Sequence, residues 1–259
     1  MNLRLDRALV ARKLLPTRNA ARRAIVEGRV QVAGTPNPRP ATLVGDDDII
    51  RVAPEATQYV SRGGEKLAGL LDRMGIDVSG KHAVDVGAST GGFTDCLLQR
   101  GTAGVVAIDV GSNQLHPRIA ADDRVVSLEQ TDVRDVDAAA AGGPFDLVVA
   151  DVSFVSLRSV ASAVAALGHA AADWIVLVKP QFEVGADGRD RRGVVADPGR
   201  RADGVAGALD ALGSAGLRLR GFAPSSIAGG SGNVEYLAWL RRSDDLAHVT
   251  RGDDDGDHG

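Results

Sequence analysis

Short runs of β-branched and aliphatic residues alternate with stretches of helical spacing from residue 80 onward. The apolar runs read HAVDVGA, GVVAIDV, VVSLEQ, FDLVVADV and WIVLVKP, and segments such as GFTDCLLQRG and SLRSVASAVAALG separate them. Continuous apolar runs are typical of strands buried on both faces, and their alternation with helices predicts a parallel sheet. Near the C terminus, LRLRGFAPSS and NVEYLAWLRR predict an antiparallel pair that closes the sheet. The expected fold class is therefore α/β.

The first fifty residues have a different pattern. Apolar residues at helical spacing predict two helices, over residues 3–14 and 17–27. The alternating run RVQVAG and the run DDDIIRVAP predict two short strands after them. The expected organisation is a small α+β domain at 1–52, a linker at 53–63, the α/β domain at 64–242 and an acidic, disordered tail at 243–259.

Charge is distributed unevenly along the chain, although the net charge is only −4. Residues 1–39 carry nine basic and two acidic side chains, whereas residues 243–259 carry six acids and one arginine. Such a basic head indicates a polyanionic partner. Arg18 and Arg22 lie four apart on the second predicted helix, where like charges cost roughly 0.2–0.5 kcal/mol. Bound phosphate would remove this cost, and a solvated arginine face is the simpler alternative.

Several classes of protein are disfavoured by the composition. No apolar run approaches the roughly 18 residues that span a membrane, and the N terminus lacks the apolar core of a secretory signal. Cys96 is the single cysteine, which excludes an intramolecular disulfide and a cysteine cluster for zinc. We therefore expect a cytoplasmic protein with no membrane partner and no metal.

The first strand of the α/β domain ends in the glycine-rich stretch DVGASTGGFTD, and ligands in such folds lie beyond the carboxyl ends of the strands. A Walker-A loop needs lysine where this chain has Phe93, and a dinucleotide fingerprint needs glycine where it has Ser89. The small residues suit S-adenosylmethionine (SAM), which carries no phosphate; a tight turn without a ligand is the alternative. The expected cofactor-binding residues of this loop are Gly87, Ala88, Ser89, Thr90, Gly91 and Gly92.

Two further acids follow the next strands. Asp109 ends the second strand, where a carboxylate accepts hydrogen bonds from a ribose diol. NAD and SAM both contain that diol, so Asp109 indicates adenosine without separating the two cofactors. Asp132, after the third strand, is placed to contact the adenine edge, or to lie in solvent on its loop.

Two acids and two lysines form a second candidate set. Asp151 ends the fourth strand and Lys179 the fifth, so they face each other across the crevice if these strands are neighbours. Either charge alone is also common at a solvated strand end. Glu235 lies in the last apolar strand, where an acid is costly to bury without a cationic partner. Lys66, on the first turn of the helix after SRGG, is a candidate for that partner.

Over residues 3–52, a predicted helix is followed by the stretch TRNAARRAIVEGRVQVAG and then by a predicted strand. This order of elements resembles the S4-type RNA-binding domain. The matching positions include Thr17, Arg18, Ala21, Ile25, Gly28, Val30, Val32 and Gly34. The resemblance implies that structured RNA binds through Arg4 and Arg18, with Arg39 on the following loop, and such RNA is recognised mostly by shape and backbone. We also expect Arg62, beside the glycines of SRGG, to contact RNA.

Lys66, Asp151, Lys179 and Glu235, in that order, resemble the Lys-Asp-Lys-Glu tetrad of FtsJ-like ribose 2′-O-methyltransferases. The stretches SRGGEKL, DVGASTGGFTDCLLQRG, DVSFVSL, KPQFEVG and GGSGNVEYL are similar to the TlyA family, in which an S4-type domain precedes an FtsJ-like domain. The resemblance spans about residues 3–242. It implies a Rossmann-like, SAM-dependent methyltransferase sheet and 2′-O-methylation of cytidine in small- and large-subunit rRNA, so rRNA in ribosomal subunits is the expected partner.

The chemistry of this reaction assigns a role to each member of the tetrad. A ribose hydroxyl must lose its proton as it attacks the methyl group, and a lysine can act as the base when burial or a nearby cation favours its neutral form. We assign the base to Lys179, its orientation to Asp151, and the binding and polarising of the ribose to Lys66 and Glu235.

Other functions remain open at the level of sequence. They are a non-catalytic RNA- or ribosome-binding factor on the same fold, methylation of a base instead of a ribose, and the membrane activity for which some relatives are called hemolysins. The glycine-rich segment 185–197 carries Arg189, Arg191 and Arg192, and is either a mobile loop that contacts phosphate or a solvated loop.

Overall fold

The computed structural model forms two compact units, Met1–Thr57 and Gln58–Gly259. The residues that it describes are 3–26, 28–33, 35, 38–53, 58–229 and 232–243. Gly34, residues 54–57 of the expected linker and residues 244–259 of the expected tail lie outside these ranges. The disorder expected of the tail therefore stays a prediction.

Within its described residues, the first unit contains two helices and four short strands. Their bounds are Leu3–Arg4 (β1), Leu5–Ala11 (α1), Arg18–Val26 (α2), Val30–Val32 (β2), Leu43–Val44 (β3) and Ile50–Val52 (β4). Strand β1 pairs with β3 and β2 with β4, both in antiparallel register. Val30 and Val32 are buried while Gln31 between them is exposed, as the two-residue period of a strand requires. The α+β character expected of this part is confirmed.

The helix expected over residues 3–14 is shorter at both ends. Leu3 and Arg4 pair with β3, and α1 ends at Ala11. Arg12 follows the helix, and its guanidinium donates hydrogen bonds to the backbone carbonyls of Gly45 and Asp48. Both helix boundaries therefore depend on contacts with residues far along the chain, which helical periodicity alone does not reveal.

A seven-stranded sheet forms the centre of the second unit in its described residues. The strands are His82–Val86 (β5), Gly104–Ile108 (β6), Val125–Leu128 (β7), Phe145–Ala150 (β8), Gly168–Val178 (β9), Leu217–Pro224 (β10) and Tyr236–Arg242 (β11). Their order in the sheet is β10-β11-β9-β8-β5-β6-β7. Strands β5 to β9 are parallel, and β10 and β11 form the antiparallel edge. The α/β fold expected from the sequence is confirmed.

Helices cover both faces of this sheet. Their bounds are Arg62–Met74 (α3), Gly92–Gln99 (α4), Pro117–Ala120 (α5), Leu157–Ala166 (α6), Pro180–Glu183 (α7) and Pro198–Ser214 (α8), with single 3₁₀ turns at Val133–Asp135 and Ala186–Gly188. In β9, Trp174 and Val176 pack on the face of α6 and α8, while Ile175 and Leu177 pack on the face of α3 and α4. Alternate side chains thus enter two cores, which explains why the strand is apolar throughout.

The strand order reverses between β5 and β8. The chain runs from β5 outward through β6 and β7, then returns to the other side of β5 to form β8 and β9. In open α/β sheets, ligands bind beyond the carboxyl ends of the strands at such a reversal. The topology therefore places the candidate site after Val86 and Ala150, the last residues of β5 and β8.

Glu235 and residues 58–61 lie in different parts of the fold from those that the sequence predicts. Glu235 directly precedes β11 rather than lying within it, because ladder pairing with β9 begins at Tyr236. Residues 58–61, expected as linker, belong to the second unit. There, Val60 N donates to Asp95 Oδ2 at 2.7 Å, and Ser61 caps α3 by accepting from Gly63 N at 3.3 Å.

Candidate active site

Two adjoining cavities lie at the carboxyl edge of the sheet, beside the reversal of strand order. One, of about 350 Å³, is lined by Lys66 and most of the glycine-rich loop, and the other, of about 370 Å³, by Asp109 and Asp132. The residues that line both are Gly87, Ser89, Asp151 and Ser153. Of the loop residues expected to bind a cofactor, Gly87, Ala88, Ser89, Thr90 and Gly92 line the smaller cavity.

Two glycines allow separate chain segments to converge at this edge. Gly87 has a φ of +80°, and a Cβ there would lie 2.7 Å from the carbonyl oxygen of Asp151. A Cβ on Gly92 would lie 2.1 Å from Ser61 Oγ, because the start of α3 packs against the start of α4. A side chain at Gly87 would clash with backbone in a conformation that favours glycine, and one at Gly92 would displace the Ser61 side chain and crowd the backbone of Gly64. The glycines thus bring Asp151 and the SRGG segment up to the cavity.

Asp85 is a buried acid on β5 that the sequence prediction missed. It lines the smaller cavity, and its Oδ2 accepts from Thr94 N at 3.0 Å and Thr94 Oγ1 at 2.7 Å. Its Oδ1 is buried without a hydrogen-bond partner among the described residues. Burial raises the pKa of Asp85 to about 7; the charge of Asp151 adds to this rise, and the bonds from Thr94 oppose it. The site therefore contains an unsatisfied carboxylate oxygen.

Asp109 directly follows β6, and Asp132 lies four residues after the end of the neighbouring strand β7. Asp109 Oδ2 accepts from Ser89 N at 2.8 Å and Oδ1 from Gly111 N at 2.7 Å, so the side chain holds the glycine-rich loop against β6. Asp132 forms an ion pair with Arg134 at 2.6 Å, and hydrogen bonds from Arg134 lower its pKa to about 2. Asp132 is therefore already paired at the rim of the larger cavity.

Lys179 follows β9 and reaches Asp151, which follows the neighbouring strand β8. Its Nζ makes an ion pair with Asp151 Oδ1 and donates to Ser153 Oγ at 2.6 Å. The Lys179 side chain is 10% exposed and that of Asp151 is 21% exposed. The parallel pairing of β8 with β9 brings these two strand ends together, which is the condition under which the sequence predicts that Asp151 and Lys179 face each other.

Lys66 is the cationic partner of Glu235. Its Nζ lies 2.6 Å from Glu235 Oε2, and Gln181 Nε2 donates to Glu235 Oε1 at 3.0 Å. All three residues are buried. Gln181 directly follows Pro180 and was not identified from the sequence, since nothing local distinguishes it from any other polar residue on a short helix. Each carboxylate oxygen of Glu235 thus has its own donor.

The two lysines are held in separate groups of paired side chains. One contains Lys179, Asp151 and Ser153, and the other contains Lys66 and Glu235 with its amide partner. Both lysine side chains are 10% exposed, so each amine is shielded from water. Lys66 lines the smaller cavity, whereas Lys179 does not line either cavity and contacts Asp151 and Ser153, which line both. Such groups can exchange a proton with a bound hydroxyl or donate hydrogen bonds to it.

Arg62 and Phe154 lie at the rim of these cavities. Arg62 lines the smaller one and donates to the carbonyl oxygen of Ala228. Phe154 lines the larger one, is 94% exposed and has a φ of +65°. Its ring centre lies 5.5 Å from that of Phe182. The sequence did not predict that Phe154 would be an exposed aromatic side chain beside a polar crevice.

The arginine-rich segment 185–197 is tied to the residues just before Glu235. Asn233, which is buried, accepts from Val195 N at 2.9 Å and donates to the carbonyl oxygen of Gly193 at 3.0 Å. Asp190 accepts from the backbone of Arg192 and Val194 within the segment. Its exposed arginines are Arg189, Arg191 and Arg192. Asn233 is thus a further residue that sequence reasoning missed.

Three arginines of the first unit converge on one carboxylate. Asp6 is fully buried and accepts from Arg4 at 3.1 Å, Arg18 at 2.9 Å and Arg22 at 3.2 Å. Burial by itself would raise the pKa of Asp6, but these hydrogen bonds outweigh it and hold the pKa well below its usual range. The three arginine side chains stay 40–52% exposed. Arg39 is exposed on its loop and is not part of this group.

Comparison with protein families gives two matches. Residues 59–242 match the FtsJ-like methyltransferase family, and residues 3–50 match the S4 domain. The first match covers more than half of the chain and includes every member of the lysine and acid tetrad.

Individual relatives cover nearly the whole chain. The protein of Mycobacterium tuberculosis (strain ATCC 25618 / H37Rv) named 16S/23S rRNA (cytidine-2′-O)-methyltransferase TlyA is 44% identical over 256 residues, 98% of this chain and 96% of the relative. Hemolysin A of Brachyspira hyodysenteriae is 35% identical over 91% of this chain and 98% of the relative. A solved structure from Streptococcus thermophilus, whose name also points to a hemolysin, has a TM-score of 0.75 at 34% identity and covers 94% of this chain and 89% of its own.

The hemolysin names raise the question of membrane insertion. Among the residues that the structure describes, no helix combines the length and the apolar character needed to cross a membrane. The resemblance to methyltransferases is confirmed by the family matches, which agree with the order of the fold's elements. The chain therefore belongs to the FtsJ-like methyltransferases and, with its preceding S4 domain, to the family of TlyA.

Proposed function

We propose that this chain transfers the methyl group of SAM to the ribose 2′-hydroxyl of cytidine in small- and large-subunit rRNA. The observation that carries the proposal is the pairing of two shielded lysines with carboxylates beside the crevice, Lys179 with Asp151 and Lys66 with Glu235. The relative from M. tuberculosis is named for this reaction on 16S and 23S rRNA. A ribose hydroxyl is a weak nucleophile, so its methylation needs a proton acceptor and groups that align it.

Three features of the crevice suit SAM. The backbone of residues 87–92 approaches the cavity without large side chains. Asp85 Oδ1 has no partner there, and SAM carries two cationic groups that a carboxylate oxygen can bind. Each oxygen of Asp109 accepts one backbone hydrogen bond and keeps a second lone pair for a ribose hydroxyl. We assign the adenine edge of SAM to the rim of the larger cavity near Asp132. Because Arg134 already pairs with the Asp132 carboxylate, this carboxylate makes only a secondary contact with the adenine.

When bound, SAM would supply a methyl group that its sulfonium makes electrophilic; the carbon–sulfur bond breaks with its electron pair on sulfur, so a neutral thioether is the leaving group. Lys179 Nζ, as a neutral amine, takes the proton of the 2′-hydroxyl, and the electron pair of the broken O–H bond stays on the oxygen to form the new bond to carbon. Asp151, which pairs with Lys179 in the structure, faces the ammonium that forms when the proton arrives. Because Lys179 is nine-tenths buried, bulk water does not compete for its lone pair.

Lys66 positions the ribose in this mechanism. Its ammonium has three N–H donors, of which one bonds Glu235, so further donors remain for the oxygens of the ribose. Gln181 fixes the second oxygen of Glu235, so the carboxylate and the lysine are held in one arrangement. The Lys66 ammonium thus polarises the hydroxyl that Lys179 deprotonates.

We assign the binding of rRNA backbone to exposed arginines, with Arg4, Arg18 and Arg22 as a preformed group in the first unit and Arg39 and Arg62 as single contacts. One carboxylate with three guanidinium groups leaves a net charge of +2, and the exposed donors of each arginine can bind phosphate oxygens. Asp6 therefore organises cations that would otherwise repel one another.

Asp6→Asn is expected to weaken the binding of an rRNA fragment about tenfold. Removing one negative charge would by itself strengthen binding to RNA, so a weaker complex shows that the arrangement of the arginines matters more than their net charge. The measurement is the dissociation constant of a fluorescently labelled fragment at several salt concentrations.

Asp47→Asn makes the same change of charge at an exposed position of the first unit and is the control. Thermal unfolding checks that both variants are folded. Arg22→Gln, which keeps Asp6, should weaken binding about threefold. Equal or tighter binding by a folded Asp6→Asn variant would show that Asp6 does not organise the arginines for RNA.

The position of the methyl group tests the proposed function directly. Ribosomal subunits are incubated with the protein and isotopically labelled SAM, the rRNA is digested to nucleosides, and mass spectrometry locates the label. We expect the label on the ribose of cytidine. Label on the base would establish base methylation, and RNA binding without label would establish a non-catalytic RNA-binding factor.

A further inference from the structure

Ser153 lies in the middle of the site, but neither the tetrad nor the cofactor loop includes it. It follows Asp151 by two residues, after the end of β8, and it lines both cavities. Its Oγ accepts a hydrogen bond from Lys179 Nζ at 2.6 Å. The residue is exposed, so this bond is not explained by the need to satisfy a buried hydroxyl.

The contact between Lys179 and Ser153 can determine the direction of the lone pair on a neutral lysine amine. A neutral amine has two N–H bonds and one lone pair, arranged roughly as a tetrahedron around the nitrogen with the carbon chain as the fourth substituent. If both N–H bonds are engaged by fixed acceptors, the direction of the lone pair is fixed as well. Two oxygens lie beside Lys179 Nζ: Ser153 Oγ, to which it donates a hydrogen bond, and Asp151 Oδ1, with which it makes an ion pair.

We propose that Ser153 is a positioning residue for Lys179, and that it acts together with Asp151 to aim the lone pair of the amine at the substrate hydroxyl. The inference rests on the proposed function, because it assumes that Lys179 is the base. With Asp151 as the only acceptor, one N–H bond would be held, but the second N–H bond and the lone pair could exchange the two remaining directions. Ser153 removes that freedom, so the proton moves from the 2′-oxygen to Nζ along one direction.

This role depends on the hydroxyl of Ser153 and not on its size. Threonine keeps the hydroxyl, whereas valine has nearly the same shape as threonine and lacks it. Since Ser153 is exposed, each of the two larger side chains has space. The pair Ser153→Thr and Ser153→Val therefore separates hydrogen bonding from packing.

The experiment measures kcat and KM for ribosomal subunits, and the dissociation constant of SAM by calorimetry, for wild type and three variants. We expect Ser153→Ala and Ser153→Val to lower kcat by about tenfold or more, because a misaligned general base loses most of its effect. KM and the SAM dissociation constant should stay within about twofold. Ser153→Thr should recover most of kcat. Ser127→Val, at an exposed serine of β7, is the control and should behave as wild type.

Three results would overturn the inference. They are a kcat within twofold of wild type for Ser153→Val, an equal loss in the threonine and valine variants, and a loss that appears in SAM affinity instead of kcat. Thermal unfolding accompanies each assay, and the comparison of threonine with valine remains informative even if alanine disturbs the loop. Failure of the proposed function would look different, because the wild-type protein would then place no methyl group on ribose.

Discussion

Lys179→Ala is expected to lower the single-turnover rate of methyl transfer by about a thousandfold. General-base catalysis contributes roughly 10²–10⁴-fold to such reactions, and this variant also leaves Asp151 without the cation that it faces. The measurement is incorporation of labelled methyl groups into ribosomal subunits at saturating SAM. Binding of SAM should change by less than about threefold, since Asp85, Asp109 and the glycine-rich loop are untouched.

Lys81→Ala is the matched control for this loss. Lys81 also pairs with a buried acid of the same unit, Asp173, at 2.6 Å, but it precedes β5 and lies at the opposite edge of the sheet from the cavities. Arg241 and Trp239 still bond Asp173 in this variant, so the acid is not left alone. The control should keep the wild-type rate. Wild-type turnover by a folded Lys179→Ala protein would remove Lys179 from the mechanism.

The architecture of the second unit follows from local patterns in the sequence. Continuous apolar runs predict strands that are buried on both faces. Strand β9 is such a strand, because its successive side chains enter the two cores on opposite faces of the sheet. The meeting of Asp151 with Lys179 needed only one further condition, the pairing of β8 with β9. The partner of Glu235 was also inferable, because a buried acid requires a cation, although Lys66 lies 169 residues away.

Other parts of the site have no local signal. Ser153 and Gln181 stand in polar or short helical segments, and only the folded structure brings each into a hydrogen bond with a tetrad member. Asp85 could have been found by the argument that identified Glu235, since both acids stand in apolar runs of the sequence. The repulsion expected between Arg18 and Arg22 is relieved within the protein by Asp6, which lies on another helix, so phosphate is not required to explain their spacing.

Burial of the Asp85 carboxyl is expected to lower the stability of the folded protein at neutral pH. Because burial raises its pKa to about 7, the folded state binds more protons than the unfolded state between roughly pH 4 and pH 7. Stability is therefore expected to fall as the pH rises through this range, and the full cost remains above pH 7. A cationic ligand beside the free Oδ1 would offset that cost.

Asp85→Asn is therefore expected to change stability and SAM affinity in opposite directions. The melting temperature of the ligand-free protein at pH 8 should rise by several degrees, which corresponds to roughly 1–3 kcal/mol, and this gain should shrink towards pH 5, where wild-type Asp85 is protonated. SAM should bind about 10- to 100-fold more weakly, because a charge-assisted hydrogen bond contributes roughly 1.5–3 kcal/mol.

The measurements are thermal unfolding between pH 5 and pH 8 and calorimetric titration with SAM. Wild-type affinity for SAM should increase as the pH rises from 6 to 7, and the variant should lose this dependence, because asparagine does not titrate. Asp203→Asn, an exposed acid on α8, makes the same change of charge and should alter neither quantity. A more stable variant with unchanged SAM affinity would show that Oδ1 faces no cationic group of the ligand. The carboxylate would then serve only Thr94 and the start of α4.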